Sequence, residues 1–261
     1  MSKLLDMFTQ ARRAQAGGGM GFLGKSKSEI KPRAAAIIVA LPTLKKDSAE
    51  AAIKAGADSV IFSWDGEDAD LLESLHEAIE AAKGAGENII CGLQISGGWE
   101  QMDHDKIEHL KDQGVNYIIL PLDAPARLLA IPTKDVDLVI TVPMREGDHY
   151  PAFIRNLTAF DSITAALFDF ELPSEIESIS IEDLLHYRAV REAARFPGML
   201  NVSGNLDEKD AFALAALGVQ AIVLPASGTE ASMQQRIETL RTLLEEVYSK
   251  VKEATSAHKQ S

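Results

Sequence analysis

An α/β chain folded as a (βα)8 barrel with an extra N-terminal helix is what the sequence predicts, and three observations carry it. Eight short β-branched apolar runs alternate with helical patterns of Ala, Glu, Leu and Lys along the 261 residues. Successive runs begin 21 to 35 residues apart, which leaves room for a strand, a helix and two loops each time. The runs are continuously apolar, as in IIVAL, YIILPL and AIVLP, which fits parallel strands covered on both faces. Eight such units in about 220 residues suit a closed barrel, usually about 250 residues long. An open doubly wound sheet is the alternative.

Taken in order, residues 2–15 place Leu4, Leu5, Met7, Phe8 and Ala11 among polar neighbours and read as an amphipathic helix that covers the bottom of the barrel. The stretch to residue 33 is a Gly- and Lys-rich arm, so the organisation expected is helix and arm over 1–33, barrel over 34–252 and polar tail over 253–261. Strands are expected at Ala35–Leu41, Ser59–Ser63, Ile89–Ile95, Tyr117–Leu122, Leu138–Val142, Thr164–Phe170, Met199–Ser203 and Ala221–Leu224. Three segments share one grammar: AGADSVIF from Ala55, QGVNYIIL from Gln113 and LGVQAIVL from Leu217. Their Gly56, Gly114 and Gly218 fit the left-handed position that ends a helix. Pro42, Pro121, Pro143, Pro173 and Pro225 follow apolar runs directly and end those strands, because proline cannot donate to a central ladder.

Composition narrows the function. With 26 Lys and Arg against 39 Asp and Glu, the net charge of −13 and the lack of a basic stripe argue against nucleic acid. No apolar run approaches the roughly 18 residues a membrane span needs, so no membrane partner is expected and the chain reads as soluble and cytoplasmic. The single cysteine, Cys91, excludes an internal disulfide and reads as a small buried residue. Gly19–Ser26 matches GxxxxGK[ST], but a helix precedes it and no helical period follows, which is the wrong context for a phosphate loop.

Alternate residues of a strand face opposite ways, and the larger apolar set should face the helices. Val60, Phe62 and Trp64 then point outward and Ile61, Ser63 and Asp65 inward. Likewise Cys91, Leu93 and Ile95 point outward, leaving Gly92, Gln94 and Ser96 inside. Asp123, Thr141, Asp169, Glu171, Asn201 and Ser203 continue the inward polar set at the C-terminal strand ends, the catalytic face of such barrels. Asp169 and Glu171 share a face and are candidates to move a proton or to hold a divalent cation, with Asp65 and Asp123 completing an oxygen-rich site. A divalent cation is the one cofactor these residues suggest. Arg145 is the candidate clamp for a substrate anion or, alternatively, the salt-bridge partner of one of these acids. Gln94 and Asn201 would orient substrate. His149 is the only histidine near this face, and Trp99 either flanks the mouth or packs beneath its loop.

Residues 201–231, NVSGNLDEKDAFALAALGVQAIVLPASGTEA, resemble the last quarter of phosphate-binding, aldolase-type TIM barrels such as thiamine-phosphate synthase and indole-glycerol-phosphate synthase. The resemblance implies that backbone amides at Ser203, Gly204 and Asn205, and at Ala226, Ser227 and Gly228, hold a substrate phosphate. It departs from that pattern at Asn205, where a second glycine is frequent, and at Pro225, where glycine is usual. Ser227-Gly-Thr-Glu230 also reads as a capping box. No barrel strand carries the lysine of the Schiff-base aldolases, since Lys45 and Lys46 lie in a loop. The reading is a barrel enzyme using acid–base chemistry, of lyase or isomerase type, on a small anionic metabolite, with phosphorylated metabolites among the candidates. A non-catalytic barrel that binds a ligand or a protein partner is the alternative, and a homo-oligomer is left open.

Overall fold

The computed structural model describes residues 2–13, 31–67, 71–131, 134–170, 172, 179–204, 206, 210, 213–214 and 217–258. Eight strands, β1 (Ala36–Leu41), β2 (Ser59–Trp64), β3 (Ile90–Ile95), β4 (Tyr117–Leu120), β5 (Asp137–Pro143), β6 (Ile163–Asp169), β7 (Gly198–Asn201) and β8 (Ala221–Pro225), close into a barrel in sequence order. Every neighbouring pair is parallel, and β8 returns to β1 through Ile37↔Ile222 and its flanking pairs. Closure rules out the open sheet. Around the barrel stand α2 (Lys46–Lys54), α3 (Leu71–Ala85), α4 (His104–Asp112), α5 (Tyr150–Arg155), α6 (Ile181–Ala194) and α7 (Glu230–His258), while α1 (Lys3–Arg12) precedes it.

The strand parity follows the expected division. Val60, Phe62, Trp64, Cys91, Leu93 and Ile95 belong to the outer core under the helices. Ile38, Ile61, Tyr117, Ile119, Val139, Leu167, Met199 and Val223 fill the barrel interior together with Leu4, Met7, Phe8 and Ala11 of α1. The N-terminal helix therefore seals the bottom. It is fixed there by Asp137, whose Oδ2 accepts from Ser2 Oγ at 2.8 Å and from Leu4 N at 3.1 Å, while Ser2 caps the helix at Leu5 N. Among the described residues Tyr117 is the large polar side chain of this inner cluster, and it exchanges a hydrogen bond with Ser59 at 2.9 Å. Its ring fits only because Gly92 lies opposite, where a Cβ would come within 2.2 Å of it.

The repeated sequence grammar has a structural cause. Gly56, Gly114 and Gly218 all have positive φ, at 107°, 102° and 61°, and each turns a helix end toward the next strand. Two residues later stands a polar side chain: Asp58, Asn116 or Gln220. Each donates its backbone N–H to a carbonyl of the preceding strand, respectively Ile37, Cys91 and Gly198, at 2.7–2.8 Å. The side chain of each then accepts the N–H of that same residue, at 2.8, 2.9 and 2.5 Å. This reciprocal pair saturates backbone that would otherwise be orphaned where two strands begin.

Asn116→Leu should therefore cost about 1–3 kcal/mol, the range for stranding a buried N–H, because Cys91 N loses its acceptor. Asn116→Asp should recover most of it. Urea unfolding of both variants checks the device, and an unchanged midpoint for the leucine variant would contradict it.

Candidate functional site

The barrel interior changes character toward the C-terminal ends of the strands. Ile38, Ile61, Gly92, Val139, Leu167, Met199 and Val223 are buried, whereas the next inward-facing positions, Ala40, Ser63, Gln94, Thr141, Asp169, Asn201 and Pro225, all reach solvent. The polar set predicted from parity thus forms a rim at the C-terminal ends. Around it, Ser63 pairs in register with Gln94 and Pro143 with Asp169.

On the rim, Asn201 Nδ2 donates to Asp169 Oδ1 at 3.3 Å across adjacent strands β7 and β6. Asp169 O accepts from Met144 N at 3.0 Å, which fixes the backbone under the carboxylate. Among the described residues Oδ2 of Asp169 accepts no hydrogen bond, so one oxygen is oriented and the other is uncommitted. Glu171 lies outside the described residues, as do Asn205 and the Gly19–Ser26 motif.

The metal set expected from the sequence does not assemble. Asp169 ends β6, whereas Asp65 and Asp123 lie beyond the ends of β2 and β4, in the turns that follow. Among the described residues no group of three or more His, Cys, Asp or Glu side chains could hold a metal ion. Asp65 is exposed and its Oδ1 accepts from Glu67 N at 3.0 Å within its own loop, and Asp123 is exposed in the turn after β4.

Arg145 is also displaced from its expected place. It is exposed, makes no ion pair among the described residues, and lines a cavity of about 650 Å³ between the loop after β5 and helix α6, facing Glu182, Asp183, His186 and Tyr187. The cause is the loop itself, which leads outward into α5, where Tyr150 anchors it by donating to Pro143 O at 2.5 Å. His149 is exposed at the start of that helix and caps nothing with its side chain. Trp99 packs beneath its loop, partly buried against the outer core, and its carbonyl accepts from Arg127.

The turns after β7 and β8 do come together, through a residue the sequence reading did not single out. Arg236, on the second turn of α7, donates Nη1 to Pro225 O at 3.1 Å and to Ser227 Oγ at 2.9 Å. Its Nη2 reaches Ser203 O at 3.3 Å and Gly204 O at 3.4 Å. Beside this clamp lies a cavity of about 290 Å³ lined by Gly204, Leu206, Leu224, Ser232, Gln235, Arg236, Thr239 and Leu240. Partial burial lowers the Arg236 pKa from its ordinary value, yet a guanidinium stays charged at neutral pH. Ser227 is not the helix cap. Thr229 is, since its Oγ1 accepts from Ser232 N at 3.3 Å and its carbonyl from Met233 N at 3.0 Å. Gly228, with φ of 80°, lies in the exposed turn before that cap. The local signal for Arg236 was its place nine residues after Ser227, on the first turns of the helix that follows the β8 turn.

Cys91 is fully buried on the outward side of β3, and burial pushes its thiol up from 9.0 to about 12.

Comparisons with known proteins are confined to architecture. No protein-family model matches the chain, and no curated protein matches it either. Among solved structures it is similar to tryptophan synthase from M. tuberculosis in its ligand-free form, at 15 % identity over 95 % of this chain and 98 % of that one, with a TM-score of 0.59. It is similar to thiamine phosphate pyrophosphorylase from Pyrococcus furiosus at 14 % identity, over 82 % and 98 % of the two chains, with a TM-score of 0.57. The HpcH/HpaI aldolase from Desulfitobacterium hafniense gives 14 % identity over 77 % and 90 %, with a TM-score of 0.50. The fold these structures share with the chain is the (βα)8 barrel. No helix among the described residues is long and apolar enough to cross a membrane.

Two outcomes follow. Arg236→Met keeps the stem but removes the ties to both turns, and should lower unfolding free energy by about 1–3 kcal/mol, measured in urea; a loss below about 0.5 kcal/mol would mean the clamp is solvent-screened. In the native protein Cys91 should resist an aromatic disulfide reagent at pH 8 and react only on unfolding. Because the folded thiol holds its proton while the unfolded one ionises near 9.0, this group's contribution to stability should decline as pH rises from 9 toward 12, and Cys91→Ala should flatten that decline.

Proposed function

We propose that this chain is a barrel enzyme that moves a proton on a small anionic metabolite, in the manner of a lyase or isomerase. The observation that carries the reading is Asp169. Its carboxylate faces the barrel axis at the open end, is oriented by Asn201, and keeps one oxygen uncommitted where a substrate C–H or O–H could meet it. Glu171 is the second carboxylate of the pair, and a divalent cation would have to be held by those two rather than by Asp65 and Asp123.

The anionic end of the substrate is assigned to the Arg236 cavity. Gly204, Ser232, Gln235 and Thr239 offer neutral polar groups there and Arg236 offers charge, a set that suits a phosphate ester or carboxylate. β6, β7 and β8 are adjacent, so the proton-moving group and the anion site lie in one sector of the barrel, the first on its axis side and the second outside it, against Leu206, Leu224 and Leu240 of the outer core. Ser203 and Ser227 hold the Arg236 guanidinium in place, Gly228 lies in the turn that carries Ser227, and Gln94 and Thr141 face the remainder of a bound molecule. Arg145, on its separate cavity, is left as a contact for a longer substrate. The likeness to an aldolase and to a thiamine phosphate enzyme agrees with this choice by analogy of fold.

The test is incubation with triose, pentose and hexose phosphates followed by phosphorus NMR. At least one should be converted by the wild type, and Asp169→Asn should abolish conversion while its melting temperature stays equal or rises. A phosphate ester that raises the melting temperature but is never converted would replace this reading with the non-catalytic barrel. A loss of several kcal/mol in Asp169→Asn, the scale of a broken buried pair, would make Asp169 a structural partner.

A further inference from the structure

Four large apolar side chains stay exposed among the described residues: Phe153 (56 %), Phe160 (44 %), Ile181 (81 %) and Leu185 (60 %). All four lie on α5, on the turn that follows it, or on α6, and α5 and α6 pack against each other. Single exposed apolar residues are ordinary on a monomer, whereas a group confined to one sector marks a surface that something covers. The outer face of α6 also has a pattern. Ile181, Leu185, Arg188 and Glu192 recur at helical spacing along its exposed side, with Glu182 and Ala189 flanking them. Val190, Ala193 and Ala194 take the opposite, buried side. Neither Glu182 nor Arg188 makes an ion pair among the described residues.

We propose that this face is a homodimer interface, in which α6 packs antiparallel against α6 of a second copy of the chain across a two-fold axis at Leu185. An isologous contact must be complementary to itself, so that every group finds its match on the same surface. The sequence of α6 meets that demand about Leu185. In an antiparallel pair, residues equally far before and after the axis face each other: Leu185 meets Leu185 of the second copy, Ile181 meets Ala189, and Glu182 meets Arg188. Apolar groups then stand against apolar groups, and each carboxylate stands against a guanidinium. The same axis, perpendicular to α6, lays α5 against α5 of the second copy and brings Phe153 into the contact. That supplies the width a stable dimer requires, about 800 Å² on each partner. A partner carrying charge of one sign would match either Glu182 or Arg188 and repel the other. The net charge of −13 on each chain opposes association only weakly at physiological salt, where the screening length is about 8 Å. Glu182 and Ala189 also line the cavity beside Arg145, so the second copy stands at its opening.

The test is sedimentation velocity of the full chain in about 0.15 M salt, at protein concentrations up to about 100 μM, well above the micromolar end of the range for interfaces of this size. The expected mass is twice 28.2 kDa. Leu185→Glu sets two carboxylates face to face on the axis and should weaken the dimer about a hundredfold or more, while circular dichroism stays that of a folded barrel because the side chain is exposed. Glu182→Arg should weaken it too, and adding Arg188→Glu to that variant should restore it, an outcome that loss of folding could not produce. The register is read from Leu185→Cys, which should form an intermolecular disulfide with itself under mild oxidation, whereas Asp47→Cys, exposed on α2, should form none at the same concentration. Cys91 is buried and does not compete. A wild type that stays monomeric throughout this range overturns the proposal and leaves the face to a different partner. A dimer that Leu185→Glu leaves intact, or that the double charge exchange fails to restore, overturns it as well.

Discussion

A closed ring of eight parallel strands has one interior, and every strand must deliver alternate residues to it. That constraint governs the rest. The interior of this barrel is narrow enough to be filled by one layer after another of Ile, Val, Leu, Met and the Tyr117 ring, and α1 adds Leu4, Phe8 and Ala11 beneath them. With the bottom sealed, water enters only from above. Beyond the filled layers polar side chains can face the axis at low cost, and Gln94, Thr141, Asp169 and Asn201 stand there, toward the open ends of their strands.

Much of this was legible in the sequence because periodicity and punctuation report on local geometry. Strand parity could be read from which set of alternate residues was larger, since the outer layer must fill the space under the helices. Pro143 and Pro225 do close β5 and β8, and β4 ends at Leu120, immediately before Pro121. The three Gly-containing segments announced helix ends, but the partner residues Asp58, Asn116 and Gln220 were not recognised as the acceptors that tie each strand to the one before it. Their role was visible only in the repeat's fourth position, which always carries a side-chain oxygen.

The site was less legible because it depends on contacts between distant segments. Grouping Asp65, Asp123 and Asp169 overlooked that Asp65 and Asp123 stand beyond the ends of their strands, in exposed turns, whereas Asp169 still belongs to β6. Placing Arg145 at the mouth assumed that a loop residue continues the direction of its strand, whereas Tyr150 turns the loop toward α6. Arg236 went unnoticed because helix residues were treated as packing, although the first turns of a helix after a strand end stand beside the rim. Arg33 was assigned to the arm. It is instead drawn under the barrel by Asp58, one of the same three acceptors that order the strand starts.

The molecule thus has two ends with different chemistry: a rim with an oriented carboxylate and, in the same sector, an arginine clamp, and a sealed base where the buried Arg33 guanidinium is tied to Asp58. The central claim concerns the rim, and a crystal structure of the protein grown in inorganic phosphate tests it most directly. The account predicts phosphate density in the cavity between the β7 and β8 turns, within hydrogen-bonding reach of Arg236 and in the same sector of the barrel as Asp169. No density there, with the Arg236 cavity closed by its own side chains, would contradict it.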